Sequence, residues 1–228
     1  MKMNKKLRRI LLTVCSAALL VCVTVGATVA YLTSTATVTN SFTIGNVTIT
    51  LDEADTDLYG NPVTAVRDTD GKITSTTPAN SVAEATRGTS NTYKLMPGHS
   101  YTKDPTVHVA AGSENSWLFV KVENGIANYE ATDSTYTTIA NQIATKGWTA
   151  LTGVDNVYYK QYTSQDTVRD EVVFENFKIA DGAQDVNGWS NINTTDTKIT
   201  ITAYAVQKDG FDTADAAWTA TFGKPEGE

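Results

Sequence analysis

Two histidines are the first residues of this chain that could do chemistry. With Asp104, His99 and His108 could supply the imidazole and carboxylate ligands that zinc accepts. A zinc-protease helix needs two histidines four residues apart with a glutamate beside the first, and the chain has no such pattern. His108 alternates with Val107 and Val109, so we expect an exposed strand histidine rather than a metal ligand.

Aspartate-rich turns offer a second possible metal site. The segment Asp55-x-Asp57-x-Tyr59-Gly60 resembles the start of a calcium loop. Its fifth position is Tyr59, however, and its twelfth is Val66, where calcium loops place a glutamate. Asp68-x-Asp70-Gly71 is shorter still. We expect solvated turns at both places, with weak calcium binding as the alternative.

Other catalytic patterns are missing from the sequence. It has no Gly-x-Ser-x-Gly elbow, no phosphate-binding glycine loop and no dinucleotide fingerprint. Asp170 and Glu171 are adjacent, with no sign of an acid and base pair. Of the four tryptophans that could form a sugar platform, we expect Trp148 and Trp218 in the core, while Trp117 and Trp189 stay open. We therefore predict no enzyme, no catalytic residue, no metal and no cofactor.

Residues 1–30 have the pattern of a secretory signal peptide. Basic residues precede an apolar run over residues 10–25, and small residues follow it. Cleavage after Ala30, with Thr28 two positions earlier and Tyr31 as the first mature residue, is the prediction; cleavage after Ala27 is the alternative. A retained membrane anchor is a second alternative, although the run reaches about 20 residues only by counting Thr and Gly.

Removal of residues 1–30 changes the charge and the cysteine content. Five basic residues and no acidic one leave, so the net charge goes from −7 to −7 − 5 = −12 over 198 residues. A domain this acidic is not expected to bind nucleic acid through its overall field. Cys15 and Cys22 also leave, which excludes thiol chemistry and favours a Gram-positive exterior.

The remaining sequence predicts a mainly β domain over residues 31–228. Short runs with a period of two alternate with polar turns, and two short helices lie in loops, as in an antiparallel sandwich. Residues 52–91 are expected to be a long polar loop region with at most one hairpin. The predicted strands are 105–110, 116–123 (central), 148–151 with 157–162, 171–179 and 198–207; the predicted helices are 135–146, capped by Ser134, and one with the stripe Ala214, Trp218 and Phe222.

The N-terminal segment 31–44 alternates threonine with small or apolar residues. From Val38 onward its apolar positions, Val38, Phe42 and Ile44, are even-numbered. Val47, Ile49 and Leu51 are odd-numbered, so the phase moves by one residue at Gly45-Asn46. A bulge or a break between two strands explains this shift, and a two-residue hairpin is the alternative.

This segment is the one positive functional signal. A freed strand can add to the sheet of a neighbouring copy, and a head-to-tail contact of that kind gives a filament. The alternative is that residues 31–44 form the first strand of their own sheet. The candidate assembly residues are Leu32, Ala36, Val38, Phe42, Ile44, Gly45 and Asn46.

At these residues the sequence resembles the camelysin/TasA family of secreted Gram-positive matrix proteins. The family implies a jelly-roll sandwich, a dedicated signal peptidase, and biofilm fibres built through an N-terminal donor strand. Some members are described as metalloproteases, which this chain offers no ligand set to support. The resemblance is carried by residues 25–33, 39–53, 95–98, 103–107 and 203–207, and by Trp218.

The predicted function is a secreted structural protein of the extracellular matrix. Its expected partners are further copies of itself, other matrix proteins and the signal peptidase, with membrane association only before cleavage. The alternatives are a camelysin-like metallopeptidase and a cell-surface binding module or adhesin that uses residues 52–91 or an exposed tryptophan.

Overall fold

A computed structural model describes residue 6 and residues 46–167, 169–182 and 197–223 of the chain. The chain divides between Ile44 and Gly45, and the fold described below belongs to the second unit, Gly45–Glu228. None of the helices in the described part is both long enough and apolar enough to span a membrane.

The second unit is a mainly β structure with twelve strands and two α-helices among the described residues. The strands are β1 (Ile49–Ala54), β2 (Val63–Arg67), β3 (Ile73–Pro78), β4 (Arg87–Gly88), β5 (Ser100–Thr102), β6 (Thr106–Val109), β7 (Ser116–Asn124), β8 (Thr149–Ala150), β9 (Val157–Tyr162), β10 (Asp170–Val172), β11 (Asn176–Lys178) and β12 (Ile199–Gln207). The α-helices are α1 (Ile139–Thr145) and α2 (Ala214–Phe222), and short 3-10 turns lie at Val82–Glu84 and Ala127–Tyr129.

Two antiparallel sheets form a sandwich. The first has the strand order β10-β6-β1-β4 and the second has the order β12-β7-β9-β8. Val107 and Val109 of β6 share one buried cluster with Leu118, Val120 and Val122 of β7, so the inner faces of the two sheets form the core. This confirms the predicted antiparallel β-sandwich with two short helices; the jelly-roll connectivity stays a prediction.

Strand β7 is central, as its sequence predicts. It pairs with β12 on one side and β9 on the other. Its second face carries Trp117 and Phe119, which α2 covers with Ala214, Ala217 and Trp218. The rings of Phe119 and Trp218 meet edge to face with 5.2 Å between their centroids, an arrangement that aromatic pairs favour.

The structure corrects the prediction of one strand over residues 171–179. β10 pairs with β6, whereas β11 pairs with β5. Between them, Val173 and Phe174 are both fully buried. Consecutive residues of a strand point to opposite faces, so both could be buried in one strand only if both of its faces were covered. The side-chain amide of Gln142 in α1 binds this connection between β10 and β11, since its Oε1 accepts the backbone N–H of Glu175 at 3.1 Å.

The first helix begins later than its sequence suggests. α1 starts at Ile139 with Thr138 as its cap, and the Thr138 hydroxyl accepts the Asn141 N–H at 3.3 Å. The carboxylate of Asp133 instead accepts the N–H groups of Thr135 and Tyr136, and this turn keeps them out of the helix. The predicted cap at Ser134 is therefore wrong, while the buried stripe of Ile139 and Ile143 is confirmed.

The region 52–91 is more regular than expected. β1 continues to Ala54, and the predicted hairpin is present as β2 and β3. All six residues of β3 are exposed, so this hairpin stands away from the core. Asp57 and Asp68 cap tight turns by accepting backbone N–H groups two and four residues later.

Candidate functional site

An open seam lies between β1 and β12. β12 pairs with β7 along its whole length, and no strand of the described residues pairs with its other edge. β1 pairs with β4 only at Glu53 and Ala54, which leaves Ile49–Asp52 without a described partner strand on that side. Some Cα atoms of the two strands lie within 8 Å of each other across the seam. The seam therefore presents strand edges that can accept main-chain hydrogen bonds.

The seam is apolar along its inner side. Alternate residues of β1 and β12 point toward the core but are only partly buried, in contrast with the inner residues of β6 and β7. An added strand with apolar side chains at alternate positions would complete their burial. These residues are Ile49, Leu51, Ile199, Ile201, Ala203 and Ala205.

Two cavities open at the Ile199 end of the seam. One has a volume of about 400 Å³ and is bordered by Leu51, Glu53 and Ile201. The other has a volume of about 680 Å³ and is bordered by Tyr93 and by residues of β11 and β12. Ile199 borders both, as do Asn91 and Lys103. The core is thus incompletely covered at this end.

Asn46, where the continuous described part of the domain begins, lies beside the opposite end of the seam. The carbonyl of Asn46 accepts the N–H of Glu114 at 3.0 Å, and the next residue, Asn115, accepts the N–H of Lys208, which follows β12. The side chain of Asn46 donates to the Thr48 hydroxyl at 3.2 Å. Asn46 therefore lies next to the C-terminal end of β12.

Asn46 is the one predicted assembly residue in the described part of the chain. The others, Leu32, Ala36, Val38, Phe42, Ile44 and Gly45, lie outside the described residues, as do the cleavage residues Thr28, Ala30 and Tyr31. The choice between a bulge and a hairpin at Gly45-Asn46 stays open.

A polar network covers the outer face of the first sheet. His108 on β6 lies between two carboxylates: its Nδ1 is 2.7 Å from Oδ1 of Asp170, and its Nε2 is 2.8 Å from Oδ1 of Asp52. Arg87 binds Asp52 through Nε and Asp104 through Nη1, the latter at 2.8 Å. His108 lies on the face opposite to the buried Val107 and Val109, as its position predicts, but it is only partly exposed and links three strands.

These contacts shift two pKa values in opposite directions. Burial lowers the pKa of His108, but its hydrogen bonds to Asp52 and Asp170 outweigh burial, so the pKa is raised overall. Burial raises the pKa of Asp52, but hydrogen bonds from His108 and Arg87 outweigh it, so the pKa is lowered. The paired, charged forms are thus favoured.

The three residues considered as a zinc set do not converge. His99 is directed to the Tyr59 carbonyl, with 2.9 Å between Nε2 and the oxygen. Asp104 accepts the Ala54 N–H and binds Arg87, and His108 lies in the pairings just described. Over residues 46–167, 169–182 and 197–223, no three His, Cys, Asp or Glu residues are grouped to hold a metal.

The aspartates of the calcium-like segment have separate roles. The expectation of a solvated turn is wrong for Asp55, which is fully buried and binds both Arg67 and the Thr86 hydroxyl. It is confirmed for Asp57, which caps its turn. Trp148, Trp218 and Trp117 are all buried, which confirms the first two as core residues and removes all three from a sugar platform. Trp189 lies outside the described residues.

The sequence analysis missed a buried polar group at the Ile199 end of the seam. Glu53 and Lys103 form an ion pair there, and Asn91 donates to Glu53 at 3.0 Å. The alternation of the sequence could have indicated this pair. Lys103 is two residues after the buried Tyr101, and Glu53 is two residues after Leu51, so each is expected on the same face as an apolar residue. Charged residues at core-facing positions indicate a paired, functional or structural group.

Comparisons with known proteins returned no match to a family model, to a curated protein or to a solved structure. The functional argument therefore depends on the geometry of this chain.

Proposed function

We propose that this protein is an extracellular structural subunit that assembles by strand addition. Residues 31–44 of one copy would occupy the seam between β1 and β12 of the next copy. The observation that carries the proposal is the edge of β12, which is unpaired among the described strands and bordered by half-buried apolar side chains. The resemblance to secreted matrix proteins agrees with it.

The donor segment and the seam agree in length and in pattern. β12 has nine residues, and residues 36–44 also number nine. Their apolar members, at even positions, are Ala36, Val38, Phe42 and Ile44. A strand places every second side chain on one face, so these four and Asn40 would face the seam, while Thr37, Thr39, Ser41 and Thr43 would face outward.

The contact would be heterologous. The donor precedes Asn46, whereas the acceptor is the seam itself, so each copy can give one strand and receive one. Such contacts do not close on themselves unless a rotation completes a ring, and they give filaments. The net charge of the mature chain, −12 from the residues in the sequence, would make assembly stronger at higher salt, because screening reduces repulsion between copies.

Export is the second part of the proposal. A dedicated signal peptidase would cut after Ala30, so that Tyr31 becomes the first residue and the donor strand is freed. N-terminal sequencing of protein from the culture medium tests this. A first residue of Tyr31 is expected; retention of residues 1–30 in the secreted protein would contradict the proposed release.

Electron microscopy of protein beginning at Tyr31 tests assembly. Filaments are expected from this protein and not from protein that begins at Phe42, whose unfolding transition should be retained. A synthetic peptide of residues 31–44 should bind the shortened protein, and a peptide of the same composition in scrambled order should not. Filaments in equal yield from the shortened protein would refute the donor role.

A folded monomer with no filaments and no peptide binding would also be informative. That result would mean that residues 31–44 complete their own domain, and it would count against intermolecular assembly.

A further inference from the structure

Three side chains meet at the Ile199 end of the seam. Nζ of Lys103 contacts Oε2 of Glu53, and Nδ2 of Asn91 lies 3.0 Å from Oε1 of the same carboxylate. One carboxylate therefore holds an amine and a carboxamide side by side. Lys103 and Glu53 are only 6% and 5% exposed.

We propose that Lys103 and Asn91 form an intramolecular isopeptide bond, with Glu53 as the proton carrier. This covalent crosslink is independent of strand addition, because it lies within one domain. It would join the segment before β5 to the residue after β5, closing the loop from Asn91 to Lys103.

The carboxamide of Asn91 is fixed by further contacts. Its Nδ2 also donates to the Ala54 carbonyl at 2.8 Å, and its Oδ1 accepts the backbone N–H of Thr56 at 2.9 Å. That N–H would stabilise the negative charge that forms on Oδ1 when the carbonyl carbon is attacked. The ring of Tyr93, 5.9 Å from Nζ of Lys103, forms one wall and helps to exclude water.

The reaction balances without any other reagent. Lys103 passes one proton to Glu53, and its neutral Nζ attacks Cγ of Asn91 to form a tetrahedral intermediate. Glu53 takes a proton from Nζ as it gives one to Nδ2. The bond from Cγ to Nδ2 then breaks, ammonia leaves as ammonium with the remaining proton, and Glu53 is again ionised. The new bond joins Nζ to Cγ.

Peptide mapping of the denatured protein tests the crosslink, and it does not depend on N-terminal processing. Trypsin cuts after Arg87, Lys94 and Lys121 but would not cut at an acylated Lys103. The expected product is one branched peptide in which residues 88–94 are joined to residues 95–121, lighter than the sum of the two by one ammonia. Separate, unmodified peptides would overturn the proposal and leave a buried ion pair.

Three variants identify the atoms. Lys103→Arg keeps a cation beside Glu53 but cannot form the amide, and Asn91→Ala removes the acceptor; both should lose the branched peptide completely. Glu53→Gln should lose it or form it at least tenfold more slowly. Lys160→Arg is the control, since Lys160 binds the carboxylate of Glu171 and the carbonyl of Lys146 rather than a carboxamide, and it should retain the branched peptide.

A loss of water rather than ammonia, with Lys103 joined to Glu53, would also overturn the proposal. It would identify Glu53 as the acyl group instead of Asn91. Fragment spectra of the branched peptide distinguish the two, because residue 53 lies outside residues 88–121.

Discussion

Nε2 of His108 lies 2.8 Å from Oδ1 of Asp52 on the neighbouring strand. Asp170 faces the other ring nitrogen, so each nitrogen of the ring has a carboxylate beside it, and both carboxylates favour the imidazolium. Arg87 shares Asp52. This pair connects β6 to β1, and β1 forms one side of the seam.

The pairing predicts a maximum of stability in mildly acid solution. His108 has a raised pKa, so its contribution is complete below its unfolded value of 6.5 and is lost as the pH rises through the folded value. Asp52 has a lowered pKa, so its contribution is present above 3.8 and is lost as the pH falls through the folded value. Chemical unfolding should give about 1 kcal/mol more stability at about pH 5.5 than at about pH 8.

His108→Gln should remove most of this difference between the two pH values. His99→Gln is the matched control, because the hydrogen bond of His99 goes to a backbone carbonyl rather than to a carboxylate, and it should retain the difference. An unchanged pH profile in His108→Gln would show that the titrating group lies elsewhere.

Replacement of Asp55 should be strongly destabilising. Its carboxylate is fully buried and binds Arg67 and Thr86, so Asp55→Ala leaves two polar groups without their partner. A loss of about 2–4 kcal/mol in the free energy of unfolding is expected. Asp70→Ala, at the exposed tip of the hairpin, should cost less than about 0.5 kcal/mol. Equal losses in the two variants would contradict the structural role of Asp55.

Substitutions at two glycines distinguish the cost of backbone strain from the cost of a steric clash. Gly60 and Gly71 share a φ of +79°, but a Cβ at Gly60 would lie 2.7 Å from Cα of Tyr101, whereas a Cβ at Gly71 would meet nothing within 4 Å. Gly71→Ala should therefore cost only the strain of a positive φ, about 1–2 kcal/mol. In thermal unfolding, Gly60→Ala should lower the free energy of unfolding by about 1–3 kcal/mol more than Gly71→Ala does. Identical melting temperatures for the two variants would mean that the turn at Gly60 can shift away from Tyr101 in β5 at no cost in stability.

Mixing two assembly-defective variants tests the direction of the proposed contact. Phe42→Asp should damage the donor, and Ile201→Asp should damage the acceptor, so neither should form filaments alone. Because each retains one working half, an equimolar mixture should give dimers and stop there. Sedimentation velocity measures these species. Long filaments from the mixture would exclude a single donor and a single acceptor per copy.

Neighbouring residues provide matched controls for that experiment. Thr43→Asp and Thr202→Asp place the same charge one position along each strand, and Thr202 is exposed. Both should leave filament yield within about twofold of the unchanged protein, since alternate residues face away from the seam.

Alternation and turn chemistry predicted most of the fold. β7 and β12 have apolar residues on both faces, and the turn between β8 and β9 contains Gly153 and Asn156, both at positive φ, so local sequence indicates these elements. The break at Val173 was not predictable, because three apolar residues in a row fit a strand covered on both sides as well as a crossing. α1 starts late because Asp133 competes for the first N–H groups, which helix periodicity alone does not reveal.

The polar groups were the hardest to predict. Asp55, Glu53 and Lys103 lie in segments that composition marks as solvated, yet all three are buried. Their partners are between 12 and 50 residues away, and a single sequence gives no direct measure of such pairings. The seam itself depends on which strand lies beside β12, which is a property of topology rather than of any local pattern.

The β2–β3 hairpin gives the domain an attachment point for a label. Its turn residues from Asp68 to Gly71 are exposed, and space is open around Gly71. Short insertions are tolerated at exposed tips of this kind. A fluorescent or affinity tag placed there would be carried outside the sandwich, so single subunits could be followed in a test of the proposed assembly.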